Sequence, residues 1–260
     1  KNLDELNKKL DNFSFRVLKK DCLDLPNKVY MPRYVSLTKR QLELYEQIRK
    51  EALVLFEDGR LVSAPQMVTQ MLRLQQILSG YLTTDDGYQE NFETRRIDAL
   101  LDICYETSGK IIIWSRFRYD IMKIAQVLSD NFGESKVAKY FGDTKDDERS
   151  EIIDRFQNPN SDLRFFIGNP STAGRGLTLT EGHTVVYYAN DFNLDTRIQS
   201  EARCHRIGQN KSVTYIDLIS EGTIDEKIVH SLVNKIDLSA KVLGEEAKEW
   251  LQIKPKKNAL

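Results

Sequence analysis

Gln199, Arg203 and Arg206 lie within the run Gln199-Ser-Glu-Ala-Arg203-Cys-His-Arg206-Ile-Gly-Gln209. On a helix they stand at i, i+4 and i+7 and form one polar stripe. Two guanidinium groups one turn apart can aim their forked donors at a single point, the arrangement a phosphate group fits. Leu194, Ile198 and Ala202 form a separate apolar stripe, expected to face the core, and Arg197 falls on another side of the same helix. His205 projects near the apolar stripe, which favours a packed imidazole over a general base. Spacing alone is also compatible with a surface helix whose arginines pair with acids.

A second segment, Pro170-Ser-Thr-Ala-Gly174-Arg-Gly176-Leu-Thr-Leu179, follows an apolar run at 163–167. Small residues after a strand let backbone amides approach a ligand, and open α/β sheets bind ligands at such strand ends. An ordinary tight turn uses the same residues. A phosphate-cradling loop, GxxxxGK[ST], is missing: Gly109-Lys110 is followed by Ile111 and lacks the upstream glycine. Asp4-Glu5 and Asp225-Glu226 do not follow apolar strands and read as acids favoured at helix starts. The chain is therefore expected not to cradle Mg-ATP by itself, and no metal ligands are assigned to it.

These segments need elements to hold them. From residue 95 short apolar runs alternate with amphipathic ones: helices at 97–105, 119–131, 146–156 and 194–206, and strands at 110–114, 137–141, 163–167, 184–188 and 213–219. That rhythm predicts an α/β fold, a parallel sheet with helices on both faces. Before it come an extended stretch at 13–35 and two helices, 38–56 and 65–78. Residues 83–93 read as a surface loop. The division is a connector at 1–37, a helical protrusion at 38–94, the main lobe at 95–241, and a helix with a basic tail at 242–260.

Composition narrows the setting. The 260 residues are 40% hydrophobic and 30% charged, ordinary for a globular protein with a real core. No apolar run is long enough to span a bilayer, and the start lacks a signal-peptide stretch. Cys22, Cys104 and Cys204 lie far apart, which disfavours a disulfide framework or zinc site and fits a reducing cytoplasm. The net charge of −1 says nothing of nucleic acid, although basic residues gather at Lys110, Arg116, Arg118 and Lys123, and again at Arg197, Arg203, Arg206 and Lys211. Both groups read equally as solvated faces.

The order of these motifs resembles motifs five and six of superfamily-two helicases. The wording GLTLT, then DFN, then ARCHRIGQNKSV is similar to the Swi/Snf-like family. Ile111-Ile112-Ile113-Trp114-Ser115 resembles motif four, and Phe141-Gly142-Asp143-Thr144 the signature after it. Phe15-Arg16-Val-Leu-Lys19-Lys20 with Leu25-Pro26 resembles the passage from lobe one into lobe two. The likeness covers roughly residues 13 to 235. Ala202 stands where the family has Asp, and Ala173 where Gly is common. The resemblance implies a C-terminal RecA-like lobe of an ATP-dependent double-stranded-DNA translocase, with the N-terminal RecA-like lobe holding ATP and Mg2+. It assigns Arg206 and Arg203 to the γ-phosphate, places Gly174, Arg175 and Gly176 near the nucleotide, and makes Gln199 a link between motifs. Ser115, Arg116, Gly142, Thr144, Ser171 and Thr172 become candidate DNA phosphate contacts, with Thr144 alternatively capping the helix after it. Short spacing between motifs resembles phage or bacterial members, acting in the cytoplasm of a bacterial cell or phage-infected host. A helicase-like lobe kept as a non-catalytic scaffold is the alternative, supported by Ala202.

Overall fold

A computed structural model of the chain describes residues 5, 9, 13, 24–57, 64–84, 86–173, 176–234, 250 and 255. Expectations for Asp4, residues 14–23, Gly174, Arg175, and the terminal helix and tail apart from Trp250 and Pro255 lie outside the described residues.

Six strands, β1 (Lys28–Val35), β4 (Lys110–Ser115), β5 (Val137–Tyr140), β6 (Phe165–Gly168), β7 (Gly182–Ala189) and β8 (Val213–Ser220), form one sheet. Their order is β1-β8-β7-β4-β6-β5 and every neighbouring pair is parallel. Strand β4 shows why. Its apolar run alternates sides, so Ile111 and Ile113 join one core layer while Ile112 and Trp114 join the other. Helices α3 (Arg95–Glu106) and α4 (Arg118–Phe132) cover the first layer. Helices α5 (Asp146–Gln157) and α7 (Leu194–Cys204) cover the second through Ile152, Phe156 and Cys204. Between β6 and β7 lies the single-turn α6 (Pro170–Ala173). Gly182 is required by crowding, because a Cβ there would come within 2.5 Å of Ile112.

Two elements differ from the sequence expectation. Residues 28–35, expected as an extended part of a connector, are an edge strand of the main sheet and pair along their whole length with β8. Pro32 is tolerated at an edge because no outer partner needs its missing N–H. The expected loop at 83–93 contains half of a small antiparallel hairpin, β2 (Tyr81–Thr83) with β3 (Gln89–Asn91).

Helices α1 (Lys39–Glu57) and α2 (Ala64–Ser79) bury Tyr45, Met71, Leu74 and Leu78 against Ile224, Ile228 and Leu232 of α8 (Ile224–Val233) and against Phe192. The protrusion thus shares a core with the lobe. Among the described residues no helix is long and apolar enough to cross a membrane.

Buried polar bridges tie the protrusion and α8 to the strand ends. Arg96 is 1% exposed and donates to Tyr188 O at 2.7 Å and Ser220 Oγ at 2.9 Å, and it pairs with Asp225. Asp225 therefore does more than start a helix: its carboxylate is buried and neutralised by Arg96. Asp120 is also buried. Its Oδ2 accepts from Ser115 Oγ at 2.7 Å and from Ser79 Oγ at 3.1 Å, joining the end of β4 to the end of α2. Its Oδ1 has no hydrogen-bond partner among the described residues. Burial pushes the Asp120 carboxyl up to about 7, against the pull of Ser115, Arg96, Ser79 and Lys123.

Two outcomes follow. Arg96→Ala strands a buried carboxylate and is expected to cost about 3–5 kcal/mol, whereas Arg95→Ala, an exposed neighbour, costs below about 1 kcal/mol. Urea unfolding of both variants checks this, and equal losses refute it. For Asp120 the native state keeps a proton that the unfolded chain releases above its ordinary pKa of 3.8. Wild-type stability therefore falls as pH rises from about 4 through about 7, by a few kcal/mol. Asp120→Asn cannot ionise, so its stability relative to wild type should grow across that window. Unfolding free energies of both proteins measured at about pH 5 and about pH 8 decide it, and a constant difference counts against it.

Candidate functional site

Helix α7 leaves the carboxyl end of β7 capped by Asn193, whose side chain accepts from Thr196 N at 3.0 Å. Its buried face is polar: Arg197, Ser200, Glu201 and Cys204. Arg197 donates to Asp217 at 2.6 and 3.0 Å, to Asn190 Oδ1 at 2.8 Å and to Glu201 Oε1 at 2.9 Å. Its guanidinium lies 3.5 Å from the centre of the Tyr187 ring. Burial alone would depress the Arg197 pKa, but Tyr187, Asp217 and Glu201 outweigh it and raise it. This overturns the expectation that Leu194, Ile198 and Ala202 face the sheet. Ile198 is 48% exposed, and Leu194 packs sideways against the helical core around Phe192. Asp217, a lone acid inside the apolar strand β8, was the available signal. Its charge needs a buried partner, and α7 supplies one.

That roll turns the other stripe outward. Gln199 is exposed, and Arg203 and Arg206 are half-buried where the helix ends. The helix stops at Cys204, so Arg206 lies beyond it, yet both arginines meet at one point. Arg203 Nη1 reaches Leu177 O at 3.4 Å, while Arg206 Nη1 reaches the same oxygen at 3.1 Å and Thr178 Oγ1 at 3.0 Å. Arg203 has a lowered pKa, from burial first and then from the charge of Arg206 beside it. Two guanidiniums brought to one carbonyl can also aim their forked donors at a phosphate there. Gln209 is buried and locks the turn by donating to Thr180 O at 2.9 Å, while Leu179 N donates to Arg203 O at 2.9 Å. His205 is a packed residue, with Nε2 2.7 Å from Pro26 O. Gly176 has φ +82°, a left-handed conformation that favours glycine, with open space around it. Gly174 and Arg175 lie outside the described residues.

The remaining candidates cluster at the carboxyl ends of the strands, around the switch point between β4 and β7. Arg116 pairs with Asp191 at 3.3 Å and stacks 5.1 Å from the Phe192 ring. Asn169, not singled out from sequence, donates to Arg116 O at 2.7 Å and accepts from Ser171 N at 2.8 Å, joining the β4 and β6 ends. Gly142, Ser171 and Thr172 are exposed. Ser115 and Thr144 are not. Ser115 is fully buried with its hydroxyl committed to Asp120. The Thr144 hydroxyl accepts from Phe141 N at 3.1 Å and donates to Lys139 O at 3.4 Å, closing its own turn. Nor does Thr144 cap α5: the cap position is Lys145, without a side-chain bond. Neither basic group is simply a solvated face, since Lys110 donates to three carbonyls at the carboxyl end of α5, those of Arg155, Phe156 and Asn158, and Arg197 is buried. Helix α6, carrying Ser171 and Thr172, packs against α7 and so connects this rim to the arginine helix.

Among the described residues no group of three or more His, Cys, Asp or Glu could hold a metal ion. The donors present suit polyphosphate oxygens rather than Mg2+.

Residues 95–208 match the helicase conserved C-terminal domain family. The SWI/SNF chromatin-remodeling complex subunit snf22 of Schizosaccharomyces pombe is 30% identical over 260 residues, covering 92% of this chain and 15% of that protein. The chain thus spans less than a fifth of that relative. The Sulfolobus solfataricus SWI2/SNF2 ATPase core domain superposes with TM-score 0.68 at 23% identity, over 97% of this chain and 55% of that one. The Sulfolobus solfataricus SWI2/SNF2 ATPase core in complex with dsDNA gives TM-score 0.63 at 24% identity, over 95% and 52%. These structural likenesses establish a RecA-like fold. The family match, the relative's identity and the motif order along β6 to β8 make the chain similar to the C-terminal helicase domains of Swi2/Snf2-type ATPases.

Proposed function

We propose that this chain is the second lobe of a motor that hydrolyses ATP and moves along double-stranded DNA. The convergence of Arg203 and Arg206 on the Leu177 carbonyl carries the reading. Charge accumulates on the γ-phosphoryl oxygens during transfer, and preorganised guanidiniums stabilise it at little reorganisation cost. Arg206 approaches the γ-phosphate, with Arg203 beside it. Gly176 belongs to the nucleotide side of the site, and Gln199 on the arginine helix links that helix to this loop. The N-terminal RecA-like lobe of the longer protein holds ATP and Mg2+, so this chain alone does not turn ATP over.

Double-stranded DNA as partner is supported by the strand-end rim and by the neighbouring fold that was solved with dsDNA. Arg116, Gly142, Ser171 and Thr172 contact phosphates; Ser115 and Thr144 shape the rim through their internal hydrogen bonds. A phage or bacterial source rests on the short motif spacing, and a cytoplasmic setting on that spacing and on the three separated cysteines. The scaffold reading keeps one observation in its favour, Ala202, which sets no carboxylate beside Arg203.

In the protein containing both lobes, Arg206→Ala should lower DNA-stimulated ATP hydrolysis by roughly 10³-fold, with thermal stability retained. Arg206→Lys should fail as well, because an ammonium lacks the planar fork. Arg197→Ala should instead unfold the lobe, since it strands Asp217. Normal turnover by folded Arg206→Ala protein would move the scaffold reading ahead. DNA binding by the chain should ignore sequence and weaken steeply with salt, and Arg116→Ala should flatten the log–log salt slope by about one. A strong preference among duplexes of equal length would contradict phosphate-only contacts.

A further inference from the structure

Strand β1 touches the arginine helix at two points that neither fold nor motif requires. Lys28 Nζ donates to Glu201 Oε2 at 2.8 Å, and Tyr30 Oη donates to the same oxygen at 2.7 Å. One turn further along, Pro26 O lies 2.7 Å from His205 Nε2. Glu201 and His205 bracket Arg203 in the chain, and Arg206 follows His205 directly. The braced residues face β1, while Arg203 and Arg206 reach toward Leu177.

Pairing within α7 does not explain these contacts. Asp217 already engages Arg197 through two hydrogen bonds, and Arg197 still holds the other oxygen of Glu201. Lys28 and Tyr30 are additional ties from an edge strand. Burial alone would raise the Glu201 carboxyl, but Arg197 and then Lys28 outweigh it and hold it below the usual range. The bond from Lys28 is therefore made to a charged carboxylate across the neutral pH range, a strong kind of hydrogen bond. Tyr30 and Lys28 also cover the Tyr215 ring, whose hydroxyl donates to Glu201 O at 3.0 Å. The last turn of α7 is thus held from β1 by the Lys28 and Tyr30 side chains, and from just before β1 by the Pro26 carbonyl.

We propose that Lys28, Tyr30 and the Pro26 carbonyl are positioning groups: through Glu201 and His205 they set where Arg203 and Arg206 stand. This inference rests on the reading of the arginines given above. If the chain before β1 leads from the first lobe, a shift of that entering segment moves the arginine turn with it. Misplacing a catalytic group by about an ångström can cost on the order of 10²-fold in rate.

Two measurements test it separately from the motor reading. In the chain itself, the Nε–H resonances of Arg203 and Arg206 should shift in Lys28→Met, and Lys28→Arg should restore them; resonances left unmoved by Lys28→Met overturn the brace whatever the enzyme does. In the two-lobe protein, Lys28→Met with Tyr30→Phe should lower kcat for ATP roughly 10- to 100-fold with the KM for ATP and the melting temperature held, and Lys28→Arg in place of Lys28→Met should recover part of it. A kcat within about twofold of wild type, where Arg206→Ala is inactive, overturns the brace and leaves the motor standing. A fall in kcat that follows a fall in melting temperature, without rescue by Lys28→Arg, also overturns it. If Arg206→Ala is itself fully active, the catalytic reading of the arginines fails and the scaffold reading of the lobe moves ahead, while the resonance measurement still decides the brace.

Discussion

The site depends on one buried charge. Arg197 lies under α7 against the sheet, where among the described residues Asp217 on β8 and Glu201 one turn along its own helix neutralise it. A guanidinium or a carboxylate left alone in that place costs several kcal/mol. The helix therefore has one acceptable roll about its axis. That roll makes the inner face polar, sends Ile198 to solvent, and leaves Gln199, Arg203 and Arg206 outside. The arginine pair is placed by a different arginine, Arg197, on the opposite face of the helix.

A similar device works a few residues further along β8, at the same strand ends. Arg96 and Asp120 gather the ends of β4, β7, β8 and α2 with the start of α8 through buried hydrogen bonds. Such a network is specific because each group left unsatisfied is expensive. The helical protrusion is consequently fastened to the same strand ends that form the proposed DNA rim. Displacing α2 would disturb Ser115 through Asp120, and with it the backbone from which Arg116 projects.

Much of this was legible in the sequence, for a physical reason. Buried parallel strands such as Ile111-Ile112-Ile113-Trp114 are apolar on both faces, and the helices between them carry a clear polar side, so element type follows from pattern. The arginine stripe was legible as a stripe. Its roll was not, because pattern reading assigns apolar residues to the inside and cannot see that Asp217 will draw Arg197 beneath the helix. Ser115 and Thr144 failed in the same way: a hydroxyl in a motif gives no sign of whether its bond goes to a ligand or to Asp120 and Lys139. Residues 28–35 read as connector because an edge strand with a proline lacks the apolar run of its neighbours.

The place of β1 in the sheet has a consequence for how the protein is made. It is the first described strand to leave the ribosome, yet its partner β8 is the last to be synthesised. The pairs among β4, β5, β6 and β7 can zip up while β1 waits for β8 as an unpaired segment with Tyr30, Met31 and Tyr34 uncovered. Closing so long a loop is slow, and exposed strand segments of this kind are where chains associate wrongly. Truncation anywhere before residue 213 leaves β1 without a seat, so the lobe is completed only when its two ends meet.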